Sequence, residues 1–252
     1  MHESHIAIVC ASRESGESDR TITLFGPECG KMTARVRGAR KLTSKLAGCA
    51  RPFCEGKFYV TESRSIALVT GVEIVRMHSK LQDDVRKLAV GSYWLELLSS
   101  GHWPEDQWEP LFRLTTNALA MLADARALRA ITAVVAAKFV KLSGLYPDFA
   151  NCAGCGAPIH TGSAVIDREF AGAFHFDCAP ETAAGAIAGT KVSAAVTGAL
   201  YRLYDLKLGN FDSGWCGESD VAEVESVLAE MLKRLLDCEL KTRRFLKDAL
   251  GW

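Results

Sequence analysis

The apolar pattern of this chain changes near residue 80, and that change constrains the fold more than any other feature. Before it, apolar and β-branched residues come in short runs such as "HIAIVCASR", "RTITLFGPECGKMTARVRGAR", "KFYVTES" and "SIALVTGVEIVRM". Turn-rich "ESGES" and "GPECGK" break these runs, and runs of about 5–7 residues with no helical period predict strands. Several short strands in one segment of this size predict a small barrel of Greek-key form. After Lys80 the spacing becomes helical. In "KLQDDVRKLAVGSYWLELLSSG" apolar residues fall at 81, 85, 88 and 95, and Gly101 and Pro104 end the run. "EDQWEPLFRLTTNALAMLADA" and "LRAITAVVAAKFVKLSGLYP" predict two further helices. The second is apolar on nearly every side, which places it at the centre of a core. Helical readings also cover "TAAGAIAG", "VSAAVTGALYRLYDLKLG", "DVAEVESVLAEMLKRLLDCEL" and "KTRRFLKDAL". The expectation is an α+β, multidomain chain: a β-barrel over 1–79 and a helical domain over 80–252, with an insert at about 150–182.

That insert opens with Cys152-Ala-Gly-Cys155-Gly and closes with His175-Phe-Asp-Cys178. Two ligand pairs, each of x-x spacing and nineteen residues apart, match the pattern of a tetrahedral zinc site. Glycines 154 and 156 let the backbone curl so that amides point at the sulfurs. The predicted set is Cys152, Cys155, His175 and Cys178 around one structural Zn2+. His160 and Asp177 are alternative fourth ligands, and an empty site is the competing reading. Four protein donors leave no open position for a substrate.

The second chemical feature is electrostatic. The chain has 30 basic and 30 acidic side chains, so its formal net charge is zero. Residues 1–79 hold 12 Lys and Arg against 8 Asp and Glu, and the remainder holds 18 against 22. The excess concentrates in "KMTARVRGARKLTSKLAGCAR", which contains no acid. Lys31, Arg35, Arg37, Arg40, Lys41, Lys45 and Arg51 form a strip suited to a polyanion. Arg35 and Arg37 share one face of a strand, and Arg40, Lys41 and Lys45 fall in the loop that follows. Phe53, Phe58 and Tyr59 are nearby candidates for base stacking, although each reads more readily as core. A solvated strand face is the competing reading of the strip.

Other motifs exclude functions. "GPECGKM" has too few residues between its glycines for a phosphate loop, and Met32 stands where a hydroxyl is needed. It reads as a hairpin turn. Nucleophile elbows, HExxH helices and deaminase signatures are absent from the sequence. His2, His5, His78 and His102 read as surface histidines. Nine cysteines, an odd number, at irregular spacing point to thiols and a metal rather than a disulfide framework. The N-terminal "MHESHIAIVC" has no signal-peptide pattern, and no apolar run reaches the ~18 residues of a membrane span. A cytoplasmic protein is expected.

In order along the chain, "SRESGESDRTITLFGPECGKMTARVRGARK", "SKLAGCARPF", "KLSGLYPDFANCAGCG" and "LKTRRFL" resemble the bacterial RecO family of recombination mediators. The resemblance implies an N-terminal OB-fold, a helical bundle and a zinc-binding insert. It implies a non-enzymatic DNA repair protein, nucleoid-associated during repair, that binds single- and double-stranded DNA and promotes strand annealing. It further implies RecR and the acidic C-terminal tail of single-stranded DNA-binding protein as partners, with RecA loaded indirectly. DNA binding would fall on the basic strip. The tail would bind the helical domain, for which Lys233, Arg234, Arg243 and Arg244 are candidate cations. His175 stands where zinc-binding members of the family carry cysteine. A zinc-ribbon interaction module and a zinc-dependent nucleic-acid enzyme are the alternative functions.

Overall fold

The computed structural model describes residues 2–61, 66–167, 172–181, 188–212 and 214–252. Five strands form the first part: β1 (His2–Ser15), β2 (Asp19–Gly26), β3 (Gly30–Val36), β4 (Glu55–Thr61) and β5 (Ala67–Arg76). They close into a barrel of order β1-β2-β3-β5-β4. All pairs are antiparallel except β3 with β5, which closes the barrel in parallel. This is the OB-like form that the resemblance implied. Alternation is clearest on β3 and β4. On β3 the even residues Ala34 and Val36 are buried, while the odd residues Lys31, Thr33 and Arg35 are exposed. On β4, Phe58 and Val60 point inward and Lys57 and Tyr59 outward. The inward set joins Val9, Ile22, Leu24 and Val69 in one core. Each large apolar side chain buried there contributes roughly 1.5–3 kcal/mol. A register shift between Val9 and Ala11 marks a bulge that lets the 14-residue β1 bend and pair with both β2 and β4. "GPECGK" is the β2–β3 hairpin turn, with Gly26 opposite Gly30.

Six α-helices follow among the described residues: α1 (Val85–Ser100), α2 (Trp108–Leu122), α3 (Leu128–Leu142), α4 (Ala194–Leu203), α5 (Val221–Leu236) and α6 (Lys241–Leu250). Asp84 caps α1 by accepting from the Arg86 amide. In α3 every residue from Ile131 to Ala137 is buried, together with Phe139 and Val140, as a helix that is apolar all round requires. Between α3 and α4 lies a three-stranded antiparallel sheet of β6 (Ala164–Asp167), β7 (Ala173–Phe174) and β8 (Gly189–Val192), in the order β7-β6-β8. The helical reading of "TAAGAIAG" falls largely on 182–187, outside the described residues.

By packing, the chain forms two compact units. One comprises Met1–Ala125 with Glu239–Gly251, and the other Arg126–Cys238 with Trp252. The division therefore falls later than the change of pattern at residue 80, because α1 and α2 pack on β1 and β2. α6 returns to α1 in the same unit. The Glu96 carboxylate accepts from the amides of Lys241 and Thr242 at 3.2 and 2.8 Å, across a sequence separation of 145 residues or more. These are the otherwise unpartnered amides of a helix N-terminus. In the second unit α3 packs on α5.

Candidate nucleic-acid interface and metal centre

The seven cations of the basic strip are all exposed. Lys31 and Arg35 stand on the outer face of β3, and Arg37 continues that parity one residue past its end. The remaining four lie in the loop from 37 to 54, which is anchored underneath by Ala39, Cys49, Ala50 and Leu46 in the barrel core.

Arg40 differs from the others. Its guanidinium ion-pairs with Glu14 at 3.1 Å and donates to the carbonyls of Gly16 and Glu17 at 3.3 and 3.2 Å. Its backbone amide donates to Ser18 O. Arg40 thus ties the loop to the β1–β2 turn. Asp19 belongs to the same arrangement, since it accepts from the Gly38 amide at 2.9 Å. That bond chiefly, and the neighbouring Arg35 and Arg37 charges, hold its carboxyl below the usual range. The acid-free strip of the sequence thus acquires two acids through folding.

Folding also adds a cation that lies outside the strip in sequence. Arg13 on β1 is directly across from Thr21 on β2, which is directly across from Arg35 on β3. Residues facing one another across a ladder point the same way, so Arg13 and Arg35 flank Thr21 on the outer face. Only the strand register shows this.

The three candidate stacking aromatics separate cleanly. Phe58 is fully buried in the barrel core. Phe53 is buried as well, with φ of 72°. Its amide donates to Val9 O, and its ring lies where any Cβ on Gly91 of α1 would have to go. Tyr59 faces outward, with Lys57 Nζ 5.4 Å from its ring centroid and its hydroxyl on Glu73 at 2.5 Å. Two histidines read as surface groups are not. His78 is buried with its Nε2 3.5 Å from Glu55, and the His5 side chain is largely covered beside Glu3.

The cysteine insert converges. The ligand atoms of Cys152, Cys155, His175 and Cys178 all lie within 4.8 Å of one another. The first pair sits on a tight turn in which the Gly156 amide donates to Cys152 O at 2.8 Å, with Gly156 at φ 74°. Gly154 is obligatory, since a Cβ there would stand 2.9 Å from the Cys178 Cβ. His175 Nδ1 is 3.4 Å from Cys155 Sγ, and Nε2 is 3.3 Å from Pro158 O. A proton on Nε2 donated to that carbonyl leaves the Nδ1 lone pair facing the sulfurs, as in a metal-bound histidine whose other ring nitrogen donates to a carbonyl. Tetrahedral donors about 2.3 Å from an ion lie about 3.8 Å apart, and the four donors here all lie within 4.8 Å of one another. Burial opposes ionisation of Cys152, but amides of His175, Cys155 and Gly154 outweigh it and take the thiol down to about 6. Its hydrogen bond to Cys155 raises His175, and the one between Cys178 and Cys155 first of all takes Cys178 up to about 11. Three sulfurs and one imidazole suit a borderline-soft ion, so these residues could hold a metal such as zinc. The alternative ligands stand apart from this cluster. His160 stacks on Tyr201 with ring centroids 4.8 Å apart, and Asp177 is not part of the group.

The candidate tail-binding cations do not form one site within either unit. Lys233 and Arg234 are exposed on α5, whereas Arg243 and Arg244 belong to α6 in the other unit. Arg243 is buried, 6.0 Å from the Tyr93 ring centroid, and Arg244 ion-pairs with Asp248. The second unit instead holds a cavity of about 430 Å³ lined by Leu128, Arg129, Phe211 and Trp215, among others, with Asp212 and Glu218 also on its wall.

Two family models account for nearly the whole chain: Recombination protein O N terminal over residues 1–78 and Recombination protein O C terminal over residues 82–244. The chain belongs to the Recombination protein O family. It is 31% identical over 249 residues to the DNA repair protein RecO of Anaeromyxobacter sp. (strain K), covering 97% of this chain and 95% of that protein. Against the DNA repair protein RecO of Desulforamulus reducens the identity is 28% over 240 residues, covering 95% and 92%. Against that of an Exiguobacterium strain it is 32% over 156 residues, covering 62% and 63%. The boundary between the two family models, at 78 to 82, coincides with the change of apolar pattern. Among the described residues no helix is long and apolar enough to cross a membrane.

Proposed function

We propose that this chain is a recombination mediator in DNA repair, acting in the cytoplasm and at the nucleoid. It binds single- and double-stranded DNA on the outer face of β1–β3 and the basic loop, and it promotes annealing of complementary strands. The observation that carries this reading is the outward row of Lys31, Arg35 and Arg37, continued by Lys41, Lys45 and Arg51, on the barrel of a RecO-family chain. Each cation that meets a phosphate releases a condensed counterion, which drives binding without reading sequence. Arg13 extends the track to β1. Annealing follows from the same physics, because neutralised strands lose the repulsion that holds them apart.

Cys152, Cys155, His175 and Cys178 hold one structural zinc. The ion would fix the insert, and a complete set of four protein donors argues against a catalytic role. Partners are RecR and the acidic tail of single-stranded DNA-binding protein, through which RecA is loaded. The cavity bearing Arg129, Phe211 and Trp215 is the candidate for the tail, with an apolar wall for its end and a guanidinium for its carboxylate.

Annealing of fluorescently paired complementary oligonucleotides tests the reading. Arg35→Glu with Arg37→Glu changes two exposed side chains, and the variant folds as the parent does. Its annealing rate falls at least about tenfold at moderate salt. Annealing at the parental rate by the folded double variant would remove the strip from the mechanism.

A further inference from the structure

Leu42, in the basic loop, is fully exposed. The other exposed large apolar side chains among the described residues reach only 44–64%. A single exposed leucine is ordinary on a protein surface. Leu42 differs in its setting and in the stiffness of what holds it.

Its setting is cationic. Arg40 and Lys41 precede it, Lys45 follows three residues on, and Arg37 and Arg51 bound the same loop. An apolar side chain flanked by cations along the loop does not suit an apolar protein face as its only contact. It suits a polyanion whose interior is apolar, and a nucleic-acid strand has that build: phosphates outside and stacked bases within.

The support is a tight turn. The Lys41 amide donates to Gly38 O and the Ser44 amide to Lys41 O, each at 3.0 Å, and the Leu46 amide donates to Ser44 Oγ at 3.3 Å. Gly38 takes φ of 62° to begin it. Below the turn, Arg40 is fastened to Glu14 and to two carbonyls, and Ala39, Leu46 and Cys49 pack into the barrel core. Leu42 is therefore held out on a base that is itself braced.

We propose that Leu42 is an apolar wedge that inserts between adjacent bases of the strand held by the surrounding cations, unstacking them. The proposal rests on the nucleic-acid reading above and adds to it a residue that acts on bases rather than phosphates. Side chains of this type open base steps elsewhere: unstacking costs a few kcal/mol per step, and burying the wedge and bending the strand offset it. Splayed bases present their pairing edges, which is what a strand awaiting its complement requires.

The test uses the full chain and a single-stranded oligonucleotide carrying 2-aminopurine, whose fluorescence rises when it loses its stacked neighbours. Binding is followed separately by anisotropy of an end label. The parent binds and raises the 2-aminopurine signal. Leu42→Ala, which alters a side chain with no packing role, binds with the same salt dependence and roughly three- to tenfold lower affinity, and it loses most of the rise. Leu42→Met keeps the rise. Arg35→Glu with Arg37→Glu loses binding and signal together. The wedge is overturned if the parent binds without a rise, or if Leu42→Ala gives the parental rise. A parent that shows no binding at all overturns the nucleic-acid reading itself, and the wedge with it.

Discussion

Arg37 and Arg40 carry the same charge three positions apart, yet the fold uses them differently. Arg37 points into solvent, while Arg40 joins the loop to the β1–β2 turn through Glu14, Gly16 and Glu17. Arg40→Ala is expected to cost about 1 kcal/mol of stability, the size of an exposed ion pair with accompanying hydrogen bonds, and so to lower Tm by a few degrees. Arg37→Ala is expected to leave Tm unchanged and weaken DNA binding instead. Calorimetry and anisotropy on the two variants check this, and equal effects on both properties would undo the distinction. The sequence shows how many cations there are and roughly which strand carries them. It does not show Glu14 and Asp19 folding in beside them, nor Arg13 joining from β1, because those placements depend on register between strands. The burial of His78 is illegible in the sequence for a related reason: its partner Glu55 is 23 positions away, at the start of β4.

At the scale of elements, much was legible. The β3 and β4 alternation, the hairpin turn after Gly26, the C-terminal end of α1, the span of α6 and the central position of α3 all follow from local periodicity and turn chemistry. The cysteine pairs were legible because a tetrahedral site imposes spacing on each pair separately. The capping of α6 by Glu96 was not, since nothing local signals a contact across 145 residues. The proposed zinc site makes an element-scale prediction. The purified parent carries about one zinc per chain, and Cys155→Ser carries less than half an equivalent. Chelation is expected to raise amide exchange at residues 151–167 and 172–181 while the barrel strands keep their protection, since none of the ligands belongs to the barrel. Ligand deprotonation couples zinc affinity to pH, so acid releases the metal. Full zinc retention by the Cys155→Ser protein, or chelation that loosens the barrel equally, is the opposing outcome.

At the scale of the whole molecule, a chain with no net charge gains no long-range attraction to DNA. The proposed binding then comes from one face, and its strength is expected to be salt-dependent in proportion to the cations on that face. The most direct measurement is the slope of log K against log salt for single-stranded DNA, for the parent and for Arg35→Glu with Arg37→Glu. If most of the six exposed cations of the strip other than Arg40 meet phosphates, the parental slope is roughly −3 to −4. Removing two of them makes it shallower by about 1.4 and lowers the affinity at every salt concentration. A parental slope near zero, or a slope untouched by the two reversals, would mean that the basic face of this barrel is not where the chain meets nucleic acid.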